Sequence, residues 1–221
     1  MADTKGAPSG ISVDLATALA EALHRKLEIQ NLPFDGLIPS LKTGKIDIIL
    51  SSMTATSERA KAIDFSDPYL KTGLCLLIPK NSPVTSIKEL DLAKNVIAVK
   101  QGTTGQLYAT KNVHSAKLLV LDRESACVLE VVQGKANAFI YDQMSILKHW
   151  QQNPDTTQAI LTPIQEECWA IGLQKGNNEL REKINTFLND FRNKGGFNAL
   201  GEKWLTEQQQ QFKKLGIPFI F

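Results

Sequence analysis

The chain has 221 residues, 43% hydrophobic and 22% charged, with a net charge of +2. That length buries a real core as one large domain or two small ones, and the near-neutral balance offers no basic stripe for nucleic acid. No apolar run approaches the roughly 18 to 20 residues that span a bilayer.

The start, MADTKGAPSG, holds no apolar signal core, so the chain as it stands carries no address. SVDLATALAEALHRKL has apolar residues at helical spacing, and LEIQNL after it reads as a strand. A second helix, FDGLIPSLKTG, ends at Gly44, which suits a left-handed C-cap. IDIIL is a short continuous apolar run, the pattern of a parallel strand covered on both faces. TGLCLLIPKNSP is extended and closes on a turn cluster, and SIKELDLA is a short helix. NVIAVKQGTTGQLYATKN reads strand, glycine turn, helix. LLVLD is a strand, RESACVLEVVQGK a helix, ANAFIYD a buried strand and QMSILKHWQQN a helix. After ECWAIGLQKG, again extended, come the helical NELREKINTFLNDFRNKG and GFNALGEKWLTEQQQQFKKLG, then an apolar tail, IPFIF.

Helices alternating with buried strands argue for α/β architecture. Residues 79–168 form a compact α/β unit inserted into another, made of 1–78 plus 169–221. LCLLIPK and CWAIGLQ carry the chain in and out as a hinge of two crossover strands. A cleft between such lobes is the usual place for a small ligand.

Three cysteines (Cys75, Cys127, Cys168) and three histidines (His24, His114, His149) lack the spacing of a zinc or iron site. No metal and no cofactor is expected. The thiols read as small buried hydrophobes, and their disulfide state stays open.

Ser51, Ser52 and Thr54 follow IDIIL at the strand end where open α/β sheets bind ligands. Thr56 suits a helix N-cap, which puts Arg59 just inside that helix, where its fork fits a carboxylate. Equally, the hydroxyls suit a local turn, and Arg59 could pair with Asp64 on the surface. In the second unit QGTTG places Thr103 and Thr104 near a helix start; the GxxxxGK[ST] phosphate-loop spacing is absent. Asp142 ends ANAFIYD, as an acceptor for an ammonium or as an N-cap for QMSILKHW. Arginine and hydroxyls for a carboxylate, with an aspartate for an ammonium, describe the two poles of a free amino acid.

SVDLATALAEAL, FDGLIPSLKTGKIDIILSSMTATSERAKAIDFSDPY, IAVKQGTTGQLYA, GKANAFIYD and LREKINTFLNDFRNKGGFNALGEKW carry a resemblance covering nearly everything from Gly10 onward. The chain resembles the amino-acid-binding members of the extracytoplasmic solute-binding proteins that serve ABC importers. The resemblance implies two α/β lobes closing on a ligand, a periplasmic or extracytoplasmic location, a membrane permease as partner, and a monomer. It makes Ser52 and Thr54 carboxylate-binding residues with Arg59 as clamp, Thr104 the second donor, and Asp142 the ammonium acceptor. Phe34 would stack on the ligand side chain, and Tyr141 line the pocket or merely pack. A lysine at the position of Lys100 goes with glutamine-preferring relatives; the alternative is an outward-pointing strand lysine. Glutamine is therefore the first expectation.

Two rivals remain. A cyclohexadienyl-dehydratase type of enzyme on the same fold would need a glutamate three positions after the aspartate. Here that position is Ser145, although Glu166 and Glu167 stand near the second crossover. The other is the sensing module of a receptor. The resemblance also leaves an amino-terminal strand unmatched, with Ile11 and Ser12 where phenylalanine and aspartate are usual. A looser first lobe is expected, with the tail GIPFIF packing outside it or filling the gap.

Overall fold

The computed structural model describes residues 8–217, so the expected role of the IPFIF tail lies, from Pro218 on, outside the described residues. The chain begins with α1 (Ile11–Ala22), a single 3-10 turn (Phe34–Gly36), α2 (Leu37–Lys42), β1 (Ile48–Ile49), α3 (Ser57–Ala60) and β2 (Asp64–Phe65). It continues through β3 (Leu70–Pro79), α4 (Ile87–Leu90), β4 (Val96–Lys100), α5 (Thr104–Asn112), β5 (Lys117–Leu121) and α6 (Glu124–Val132). Then follow β6 (Ala138–Asp142), α7 (Gln143–Gln152), β7 (Thr157–Trp169), β8 (Gly172–Leu173), α8 (Asn178–Asn193), α9 (Gly196–Trp204) and α10 (Thr206–Lys214).

The fold is α/β and divides into two compact units. One takes the residues up to Leu32, Gly36–Lys71 and those from Cys168 on; the other takes Pro33–Asp35 and Thr72–Glu167. Two of the boundaries fall within β3 and β7.

In the first unit β8 pairs antiparallel with both β1 and β2, in the order β1-β8-β2. The parallel pairing expected of IDIIL is thus corrected: Ile48 faces Leu173 and Ile49 faces Gly172, running opposite ways. A continuous apolar run shows only that both faces are covered; direction depends on which segment returns beside it. LEIQNL forms no strand either. Ile29 stays 44% exposed, and a strand gains hydrogen bonds only when a neighbour lies alongside. The α2 helix ends as expected: Gly44, at φ +73°, donates to the Leu41 carbonyl, and the Lys45 amide donates to that of Ser40. Leu15 and Leu19 of α1 pack with Ile184 and Leu188 of α8 and Phe197 and Leu200 of α9 around Tyr69, Leu70 and Ile171. Burying each such leucine contributes about 1.5 to 3 kcal/mol.

The second unit holds a five-stranded sheet in the order β5-β4-β6-β3-β7. Strand β4 runs parallel to β5 and β6, while β3 runs antiparallel to β6. From Leu74 to Ile78 every β3 residue is at most 1% exposed, because this interior strand is covered on both faces. The α5 helix lies directly on β6: a Cβ on Gly105 would come within 2.6 Å of the Ile140 carbonyl oxygen. Only glycine permits that approach. Ala98 faces Phe139 and Val99 faces Ile140 in register. With side chains alternating, Ile97, Val99, Ala138 and Ile140 share the face of the α5 core, and Ala98, Lys100, Phe139 and Tyr141 take the other.

Candidate functional site

In the first unit the chain leaves β1 into an exposed turn at Ser51 and Ser52. Ser52 adopts φ +51°, a left-handed conformation costing a non-glycine residue roughly 1 kcal/mol. Its backbone hydrogen-bonds the hydroxyl of buried Tyr69. Beyond the turn the segment is fastened: Ala170 donates to the Met53 carbonyl, Ala55 donates to the Cys168 carbonyl, and Thr54 bridges to Trp169. Thr56 caps α3, its hydroxyl accepting the Arg59 amide at 3.2 Å.

Arg59 itself points inward. The residue is only 7% exposed, and Nη1 donates to the Thr54 carbonyl at 2.9 Å. The expected surface partner is engaged elsewhere. Asp64 accepts from Lys175 at 2.8 Å and from the Gly176 amide at 2.7 Å, and these bonds hold its carboxyl below the usual range. Thr54 is 5% exposed. Thr54 and Arg59 are therefore joined, with a buried guanidinium anchored to the backbone, while Ser52 stands in the exposed turn before them.

In the second unit Thr103 caps α5, accepting from the Gln106 amide and donating to the Lys100 carbonyl at 2.7 Å. Thr104 begins the helix and is 7% exposed. On the other face of the sheet Phe34, Lys100 and Tyr141 are brought together. The Lys100 ammonium lies 5.5 Å from the centre of the Phe34 ring and 5.7 Å from that of Tyr141, with Nζ 3.4 Å from the Tyr141 hydroxyl. Tyr141 stacks on buried Phe139, ring centres 5.1 Å apart. Lys100 is thus a half-buried lysine between two aromatic rings, not an outward strand lysine.

Asp142 caps α7, accepting the Ser145 amide at 3.0 Å. Capping bonds alone would lower its pKa. Burial outweighs them and, with the charges of Glu124 and Glu167 nearby, pushes it up to about 6. The carboxylate is held where ionising it is costly.

Sequence reasoning missed Glu124 and His149, and weighed Glu167 only as an enzymatic residue. Glu124 starts α6, His149 lies late in α7, and His149 Nε2 hydrogen-bonds Glu124 Oε1. Their spacing of 25 residues carries no local signal. Glu167 is 5% exposed and accepts from Gln165. Cys75, Cys127 and Cys168 are free. Burial pushes the thiols of Cys75 and Cys127 up to about 12, leaving them inert. Among the described residues no group of acidic, histidine and cysteine side chains could hold a metal ion, and no helix is long and apolar enough to cross a membrane.

Residues 1–207 match the bacterial extracellular solute-binding proteins, family 3. The chain belongs to this family. A probable histidine-binding protein of Neisseria gonorrhoeae is 28% identical over 216 residues, 96% of this chain and 80% of that one. The glutamine-binding protein of a Bacillus subtilis (strain 168) ABC transporter is 28% identical over 207 residues, 92% of this chain and 75% of its own. An ancestral arginine-binding protein, solved with arginine bound, superposes with a TM-score of 0.87 at 33% identity, over 93% of this chain and 92% of that one. The family is one of solute binders rather than enzymes, and these three are named for amino acids.

Proposed function

We propose that this family 3 protein binds a free polar L-amino acid outside the cytoplasm, glutamine being the first choice, and delivers it to the membrane component of an ABC importer. Ser52, Thr54, Arg59 and Thr104 take the ligand carboxylate, Asp142 its ammonium, and Phe34, Lys100 and Tyr141 its side chain. Strands β3 and β7 serve as the hinge.

The observation that carries this reading is Asp142. A carboxylate that burial raises to about 6, despite its hydrogen bonds from Ser145, gains most from a cation brought beside it. An α-ammonium is such a cation. Arg59, buried and fixed by the Thr54 carbonyl, supplies the complementary charge for the other pole. A zwitterion leaving water needs both. No enzymatic activity belongs to the proposal. The position three residues after Asp142 holds Ser145, which is spent on Asp142 through its amide and its side chain.

Mass spectrometry of small molecules released on denaturing the purified protein tests the reading. The expected result is one polar amino acid at up to one per chain. A non-amino-acid solute released at that stoichiometry overturns it.

A further inference from the structure

Four side chains of the second unit are linked in a row. Lys100 Nζ stands 3.4 Å from the Tyr141 hydroxyl, which hydrogen-bonds the Glu124 carboxylate, which in turn meets His149 Nε2. An ammonium only donates and a carboxylate only accepts. Lys100 therefore donates to the Tyr141 oxygen, and the Tyr141 proton points to Glu124. Glu124 is no solvated surface acid: its side chain is 31% exposed and that of His149 is 13% exposed. Burial pushes the Glu124 carboxyl up. The hydrogen bond and charge interaction with His149, then the charges of Lys100 and Lys148, outweigh it and hold the group below its ordinary value, so it is ionised at neutral pH.

We infer that Glu124 sets the charge selectivity of the proposed amino-acid site, by balancing Lys100 through Tyr141. The inference rests on that site having Lys100 at its side-chain end. Lys100 and Glu124 together are a donor and an acceptor with no net charge. A carboxamide side chain carries no net charge and so suits the balanced pair. A carboxylate or a guanidinium would leave one uncompensated charge beside that balanced pair in a poorly screened place, where it is costly. Glu124 touches the ligand through neither role. It is a positioning residue acting through Tyr141 and Lys100.

Calorimetric titration of the wild-type chain with all the common L-amino acids, and of Glu124→Gln, Lys100→Gln and the double variant with glutamine, glutamate and arginine, tests this. Glu124→Gln leaves Lys100 unbalanced and should raise the glutamate-to-glutamine affinity ratio by about tenfold or more. Lys100→Gln leaves Glu124 unbalanced and should raise the arginine-to-glutamine ratio comparably. The double variant should return both ratios to near wild type. A merely structural Glu124 would weaken all ligands together, and unchanged ratios overturn the inference. Should thermal melting show that Glu124→Gln does not fold, Lys100→Gln decides alone: an unchanged arginine-to-glutamine ratio overturns it. A wild-type chain that binds no amino acid would instead sink the binding reading itself, a failure visible before any variant is made.

Discussion

Replacing Asp142 by asparagine should make the chain more stable at neutral pH and a poorer binder. Asparagine caps a helix as well as aspartate does, so α7 keeps its start while the half-buried charge goes. The folded carboxyl titrates at about 6 against an ordinary 3.8. The difference, about 2 units at about 1.4 kcal/mol each, sets an upper bound of about 3 kcal/mol, and partial exposure lowers the expectation to about 1 to 2 kcal/mol. Because the folded state holds this proton more tightly, the stability it lends is whole below pH 3.8 and is lost as pH rises through about 6. Urea unfolding at pH 7.5 should therefore favour Asp142→Asn, and the advantage should shrink towards zero near pH 3.5, where the wild-type group is mostly protonated in both states. Ligand affinity should fall by about 1.5 to 3 kcal/mol, the worth of a hydrogen bond to a charged group. Wild-type binding near pH 6 should release about half a proton per ligand, read from calorimetry in buffers of different ionisation enthalpy. A variant no more stable than wild type at pH 7.5 would refute the costly-carboxylate argument. Undiminished affinity would leave Asp142 as a cap and nothing more.

Arg59→Ala should weaken amino-acid binding by at least about 2 kcal/mol in calorimetry, since it strands a desolvated carboxylate; unchanged affinity would make the whole 51–59 loop structural. Gly105→Ala drives a methyl to within 2.6 Å of the Ile140 carbonyl oxygen and should cost about 1 to 3 kcal/mol in urea unfolding; an unaltered midpoint would mean that α5 shifts freely on β6. In hydrogen exchange the amides of β1, a two-residue edge strand, should exchange faster than those of β6, which has β4 and β3 on either side. Equal, strong protection in both would show that the first unit is as firm as the second.

Local chemistry made most of this architecture legible. Caps announce themselves, and Thr56, Asp142 and Gly44 occupy the roles their residue types suggest. Buried runs such as LCLLIP need only be recognised as covered on both faces. What stayed hidden depends on distant segments. IDIIL could not reveal that its neighbour, β8, arrives from more than a hundred residues later and runs the opposite way. LEIQNL has strand-like residues but no partner strand among the described residues. The inward turn of Arg59 follows from Thr54 offering its carbonyl, a backbone event that no side-chain pattern records. The row from Lys100 through Tyr141 and Glu124 to His149 draws on β4, β6, α6 and α7, and only the folded sheet brings the four together.

The central claim is that a free polar amino acid is the ligand, and isothermal titration of the purified chain, first freed of carried-over solute by unfolding and refolding, tests it most directly. The account predicts one site per chain for a polar L-amino acid, with a dissociation constant in the micromolar range or tighter, about −8 kcal/mol or more favourable. Absence of a binding isotherm for every common L-amino acid, in a refolded chain that melts cooperatively, would contradict it.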